Sequence, residues 1–328
     1  MNNDLNTAEY FIKGILAGDI SILSRAITLV ESTKEEHQDL AGKVIDGVIN
    51  HTGKSFRLGI TGVPGVGKST FIESFGIELV NNCHRLAVLA IDPSSQKSKG
   101  SILGDKTRME KLSAHPRAYI RPSPSSGTLG GVTRNTFETI LLCEAAGFDF
   151  IIVETVGVGQ SEIAVSQMTD FFLLLMLAGA GDELQGIKRG IMEMADALLI
   201  TKADGNNLQK AKNAKTEYAH ALHLFPPSDS GWIPKTDICS SINNEGIKET
   251  LSIIEEYKRL ATTNGYFKKK REQQLSNWLH QSISDMLMEK FYNHPSIKTE
   301  LDKIEKGIGD KKINPYRIAA DLISMWKN

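Results

Sequence analysis

The sequence predicts an α/β fold built on a mainly parallel sheet, with a helical region before it and a helical arm after it. Three observations carry this. Five short, nearly continuous apolar runs, FRLGIT (56–61), RLAVLAID (85–92), FDFIIVET (148–155), DFFLLLML (170–177) and DALLIT (196–201), are separated by stretches long enough for crossover connections. Strands covered by helices on both faces read as unbroken hydrophobic runs. A glycine-rich stretch stands at the end of the first run, and on either side of the strand region the apolar residues fall three and four apart, the spacing of helices.

Taken in order, TAEYFIKGILAG, ISILSRAITLVES and KEEHQDLAGKVIDGVI are the helical pieces between residues 6 and 50. After about residue 242 the strands stop, and EGIKETLSIIEEYKRLAT, FKKKREQQLSNWLHQSISDMLMEKFY, SIKTELDKIEKG and NPYRIAADLISMWK read as helices to the end. The expected division is a helical region at 1–52, an α/β domain at 53–262 and a helical arm at 263–328. The basic run Lys268 to Arg271 could touch acidic partners, but reads rather as the solvated start of a helix.

Composition excludes several classes. Lys plus Arg number 38 and Asp plus Glu 39, so no overall field draws the chain to nucleic acid or to an anionic membrane. Cys83, Cys143 and Cys239 lack disulfide or metal spacing, as suits a reducing cytosol. The start, MNNDLNTAEYF, lacks the basic and apolar parts of a secretory signal, and its acids argue against a mitochondrial presequence. The most apolar run, FFLLLMLA (171–178), is too short to span a bilayer. A cytoplasmic protein with no membrane or nucleic-acid partner is expected.

GVPGVGKST (62–70) fits the pattern G-x-x-x-x-G-K-[ST], with a strand before it and the helical STFIESFGIELV after it. Gly62, Gly65 and Gly67 let the loop, completed by Val63, Pro64 and Val66, aim its N–H groups at phosphate oxygens, and the helix adds its positive end. Lys68 offers a mobile cation to the β and γ phosphates; Ser69, followed by Thr70, offers a hydroxyl to Mg²⁺. These residues predict a nucleoside triphosphate site on a P-loop NTPase fold.

Asp92 and Glu154 end two of the strands, at the sheet edge where such folds bind ligands, and are Mg²⁺ candidates. Between them SKGSILGDKTRM (98–109) suits a switch loop around Mg²⁺, with Asp105 as its ligand candidate. Gln160, in the glycine-containing TVGVGQSE after Glu154, is a candidate for orienting water. LAGAGDELQGIKRG (177–190), with its glycine spacing, its acids and Lys188, reads as a third switch, with a plain connection between elements as the rival reading. Lys68, Lys188, Glu154 and Gln160 are the catalytic candidates.

TKAD (201–204) ends the fifth run. Guanine presents two neighbouring donors, N1–H and the 2-amino group, which one carboxylate accepts together; adenine presents an acceptor and a C–H, leaving Asp204 buried without a donor at about 1–3 kcal/mol. Lys202 can lay its stem along the base. In CSSINNEG (239–246), the turn at Ser240, Ser241 and Ile242 can offer backbone N–H groups to the guanine carbonyl.

GVPGVGKST, DPSS, GSILGDKTRM, VETVGVGQSE and AGAGDELQGIKRGI together resemble the MeaB/ArgK/MMAA family of G-protein chaperones of adenosylcobalamin-dependent acyl-CoA mutases, over about residues 55–245. The resemblance implies a dimeric GTPase of the SIMIBI type, using GTP, GDP and Mg²⁺ and binding no cobalamin itself. Its hydrolysis would be slow until stimulated, would gate cofactor loading onto methylmalonyl-CoA mutase or a related enzyme, and would protect or rescue that enzyme. It places Ser69, Asp105 and Glu154 around Mg²⁺, with Asp92 close by or joined through water, and makes Lys188 the switch residue that reaches the nucleotide when the partner is engaged. It also implies a homodimer through the C-terminal helices. Thr201 departs from the family's usual Asn, which puts the tie from this turn to the phosphate loop in question. The rival readings are a metal-insertion GTPase, which would need a Cys/His site, an ATP-using kinase of a periplasmic amino-acid transport protein, and a nucleotide-bound scaffold that never turns over.

Overall fold

A computed structural model of the chain describes residues 7–92, 109–124, 129–155, 161–179, 189–226, 228–307 and 314–326, with the backbone alone at 92, 122–124, 129–133, 161 and 189. It opens with three helices, α1 (Ala8–Leu16), α2 (Ile20–Val30) and α3 (Glu35–Val48). Thr7 caps α1 by accepting from the Tyr10 N–H at 3.3 Å, and Asp19 caps α2 by accepting from Ser21 and Ile22. Their apolar stripes, including Phe11, Ile15, Leu23, Ile27 and Val44, are buried.

The sheet follows as β1 (Phe56–Gly62), α4 (Lys68–Asn81), β2 (Leu86–Asp92), α5 (Glu110–Ser113), β3 (Ala118–Pro124), α6 (Leu129–Ala145), β4 (Phe150–Thr155), α7 (Ser161–Met168), β5 (Phe171–Leu177), α8 (Arg189–Met194), β6 (Ala197–Thr201), α9 (Leu208–Leu222), β7 (Lys235–Ile238) and α10 (Ile247–Thr263). Its seven strands run in the order β3-β2-β4-β1-β5-β6-β7, and every pairing is parallel. The five interior strands are the five apolar runs of the sequence. Leu58, Ile60, Ile152, Leu173 and Leu199 pack one face against Phe71 and Phe75 of α4, while Leu174, Met176, Leu198 and Ile200 pack the other against Ala211 and Tyr218 of α9. Both edge strands are additions to the sequence reading. β3, AYIRPSP, holds two prolines, which an edge tolerates because it has one unpaired side; β7, KTDI, is four residues long and only half buried.

The described chain divides into two compact units, residues 1–275 and 276–328. α11 (Tyr266–Asn293) passes through the division, and α12 (Pro295–Gly307) and α13 (Pro315–Trp326) complete the second unit. Within that unit Phe291 meets Trp326 edge to face at 5.6 Å, and Leu322 is buried.

The basic start of α11 is only partly solvated, which corrects the sequence reading. Lys268 is exposed, but the Arg271 side chain is 16% exposed and donates to Asp170 at 2.6 Å and to the Ser55 carbonyl at 2.9 Å. Glu144 lies 3.4 Å from Arg271 and accepts from Arg57 at 2.8 Å, from the Ser55 hydroxyl at 2.5 Å and from the Gly53 N–H at 2.7 Å. These groups sit where β1 begins, at the opposite end of the strand from the phosphate loop.

Candidate functional site

Parallel order carries β1, β4, β5 and β6 to one edge, where their carboxyl ends gather the predicted residues. β1 ends at Gly62, whose φ is +158° and whose α-carbon faces the Leu175 carbonyl; an added Cβ would stand 2.5 Å from that oxygen. The chain then turns through Val63 to Val66 and enters α4 at Gly67, with φ +97°, a left-handed conformation that glycine adopts without penalty. No side chain caps α4, so its first N–H groups and the positive end of its dipole remain for an anion. Val66 is buried, while Pro64, Gly65 and Thr70 are exposed and Ser69 is half-buried at the first turn.

Lys68 folds back on the loop, donating to the Gly62 carbonyl at 2.7 Å and the Val63 carbonyl at 3.3 Å. Burial holds its pKa below the ordinary lysine value, and Glu154 and Glu162 pull it back up. Glu154 stands on β4 in register with Ile60 of β1 and Ala90 of β2, and is 8% exposed. Glu162, in the first turn of α7, is 1% exposed; nothing but its place after the TVGVGQS stretch marked it in the sequence. Asp92 closes β2, opposite Pro124 of β3. Thr155 donates its hydroxyl to that of Thr61 at 2.7 Å, joining the ends of β4 and β1. Asp105, Gln160 and Lys188 lie outside the described residues.

On the other side of the loop stands TKAD. The buried Thr201 hydroxyl lies 2.7 Å from the Val66 carbonyl and 3.2 Å from that of Met176. Lys202, in a left-handed conformation at φ +55°, donates to the Gly65 carbonyl at 2.8 Å. Asp204 accepts at Oδ2 from the Ser240 hydroxyl at 2.7 Å. Ser240 and Glu245 exchange backbone hydrogen bonds, each N–H to the other's carbonyl, and the Ser240 hydroxyl accepts from the Asn243 N–H. The Ser240 N–H is therefore committed. Among the described residues the Ser241 and Ile242 N–H groups find no acceptor, so these two are the donors available to a base carbonyl.

This arrangement joins a glycine-rich loop at a helix N-terminus to a turn that presents the Asp204 carboxylate. Ser69 and Glu154 offer oxygen donors only, as a hard divalent cation requires, and Glu154 is buried, so Mg²⁺ fits the described residues.

Several known proteins are similar to this chain. The family model described as methylmalonyl Co-A mutase-associated GTPase MeaB matches residues 23–296. The probable GTPase Rv1496 of Mycobacterium tuberculosis (strain ATCC 25618 / H37Rv) is 44% identical over 324 residues, covering 99% of this chain and 96% of that protein. The mitochondrial methylmalonic aciduria type A homolog of Mus musculus is 46% identical over 325 residues, 96% of this chain and 78% of that one. GTPase ArgK of Escherichia coli (strain K12) is 44% identical over 303 residues, 92% of this chain and 90% of its own length. A crystal structure of a LAO/AO transport system kinase superposes with a TM-score of 0.76 at 33% identity, over 100% of this chain and 99% of that one. The chain is a GTPase on a P-loop α/β fold, and it belongs to the family of methylmalonyl-CoA mutase-associated GTPases, MeaB.

Proposed function

We propose that this GTPase is Mg²⁺-dependent and serves an adenosylcobalamin-dependent acyl-CoA mutase of the methylmalonyl-CoA mutase type, gating the loading of adenosylcobalamin and protecting or reactivating that enzyme. One observation supports the reading: the turn that carries Asp204 is tied by Thr201 and Lys202 to the phosphate loop in a chain whose family is named for association with this mutase. The chain itself holds no cobalamin in this reading; it acts in the cytoplasm as a homodimer through the arm at 263–328, and its GTP cycle is read by the partner.

In the site, residues 62–70 cradle the phosphates, Lys68 neutralises charge on the β and γ phosphates, and Asp204 with the Ser241 and Ile242 N–H groups reads guanine. Ser69, Asp105 and Glu154 hold Mg²⁺, with Asp92 beside it. When bound, Mg²⁺ neutralises charge on the phosphate oxygens. Gln160, placed by its position after Glu154, orients water, and Lys188 supplies a second cation when the partner is engaged, a role that comes from the family resemblance.

A rival is suggested by the name of the superposing transport system kinase: ATP-dependent phosphorylation of a periplasmic amino-acid transport protein. Asp204, held by Ser240, argues against it, because adenine has no donor pair for a carboxylate. Recovery from native cell extract decides the matter. The chain loaded with a non-hydrolysable GTP analogue should retain a cobalamin-dependent acyl-CoA mutase that the GDP-loaded chain retains less well; failure to recover such a mutase in either state would overturn the chaperone reading.

A further inference from the structure

The base-reading turn is fastened to the phosphate-binding helix by a residue with no role in the sequence motifs. Ser74, on α4, donates its hydroxyl to the Ser241 carbonyl at 2.9 Å, across 167 residues of sequence. It lies six residues beyond Lys68, roughly 9 Å along the helix, clear of the phosphate loop. Both side chain and carbonyl are half-buried, where a held geometry persists better than on an open surface.

The consequence is directional. In a trans peptide the carbonyl and the next N–H point opposite ways. Drawing the Ser241 carbonyl to α4 therefore turns the Ile242 N–H away from α4. On the other side of Ser241, Ser240 is fixed by its paired backbone bonds to Glu245, at 2.9 and 3.0 Å. Residue 241 is thus clamped at both ends, and among the described residues the Ser241 and Ile242 N–H groups find no acceptor. Ile242, 79% exposed, makes too little apolar contact to hold the turn by packing.

We propose that Ser74 is a positioning residue for guanine specificity: its bond to the Ser241 carbonyl fixes the turn so that its free N–H groups meet the 6-carbonyl of the base. It also gives the phosphate helix and the base turn one common frame, so that the two ends of the nucleotide are read at a set separation. This inference rests on the guanine-site reading above.

The test compares GTP with 6-thioguanosine triphosphate. The thio analogue keeps N1–H and the 2-amino group for Asp204, and puts a weak sulfur acceptor where guanine has its carbonyl oxygen. In the unaltered chain GTP should bind more tightly than the analogue. Ser74→Ala should weaken GTP roughly 3- to 10-fold, the range for losing one net hydrogen bond, and change the analogue less than twofold; Ser74→Thr, which keeps the hydroxyl, should restore the preference. Equal weakening of both nucleotides, or an unchanged ratio, would overturn the positioning role while leaving the guanine reading intact. If the unaltered chain binds GTP no better than ATP, the guanine reading itself falls, and the inference falls with it. Thermal melts of Ser74→Ala and Ser74→Thr should agree closely, since alanine suits a helix interior and the bond is read in nucleotide choice.

Discussion

The Thr201 hydroxyl lies 2.7 Å from the carbonyl oxygen of Val66, so the turn that carries Asp204 is tied to the phosphate loop by a threonine, where the family resemblance leads one to expect asparagine. The hydroxyl has one proton, and the Met176 carbonyl at 3.2 Å competes for it; the shorter contact takes the proton. An asparagine amide has two N–H groups and could serve both carbonyls. Thr201→Val should therefore lower GTP affinity about tenfold, equivalent to about 1.4 kcal/mol, and Thr201→Asn should bind GTP at least as tightly as the unaltered chain. Equilibrium titration with a fluorescent guanine nucleotide measures both; unaffected binding in Thr201→Val would show that the tie does not reach the nucleotide.

Asp204 is oriented by the Ser240 hydroxyl at 2.7 Å. An amide in place of the carboxylate offers one acceptor and one donor pair, which fits xanthine, whose 2-position carries an oxygen in place of the amino group. Asp204→Asn should weaken GTP by roughly two orders of magnitude, as expected for losing a charged hydrogen-bond pair, and improve xanthosine triphosphate. Competition binding with the two nucleotides gives the ratio; an unchanged ratio would mean that Asp204 does not face the base.

Interior strands were legible because both of their faces are buried, which forces near-continuous apolar runs such as FFLLLML. The edge strands were not, since β3 tolerates Pro122 and Pro124 and β7 offers only KTDI. The phosphate loop is a local pattern and could be read directly. Its supports are not local: Thr201 reaches Val66 across 135 residues, Ser74 reaches Ser241 across 167, and Arg271 reaches Asp170 across 101. A serine in the middle of a helix or an arginine in a basic run carries no mark of a partner so distant, so such residues read as solvated until the fold brings the pairs together.

Lys68 donates to the Gly62 and Val63 carbonyls at 2.7 and 3.3 Å. Neutral carbonyls are weaker partners than phosphate oxygens, because a charge-assisted bond is roughly twice as strong. Binding a triphosphate should therefore draw the ammonium off the loop carbonyls. Lys68→Ala should cost GTP affinity roughly 10- to 100-fold, the effect of losing a hydrogen bond to a charged group, and should slow turnover further, since charge grows on the phosphate oxygens as the bond breaks. Single-turnover phosphate release at saturating GTP separates the two effects; an unchanged rate at saturation would confine Lys68 to binding.

The cluster under α11 makes the fold acid-sensitive in a defined direction. Burial alone would raise the pKa of Glu144, but Arg57 beside it, Arg271 and the Ser55 hydroxyl together hold it below the ordinary carboxylate range. Asp170, which shares Arg271, is the other carboxylate of the group. A carboxylate whose folded pKa lies below its unfolded value stabilises the fold above the unfolded pKa, near 4.3, and loses that contribution as pH falls through the folded pKa. Glu144→Gln keeps the shape but leaves Arg57 and Arg271 short of an anion; removing one partner of a buried ion pair costs about 3–5 kcal/mol. At neutral pH the variant should melt well below the unaltered chain. The gap should narrow as the pH falls below the unfolded value and through the lower folded one, because the unaltered chain gains a proton at Glu144 and the variant has nothing there to protonate. Denaturant melts from pH 7 down to pH 3 test this, and a gap that stays constant with pH would show that Glu144 is not held as the anion in the fold.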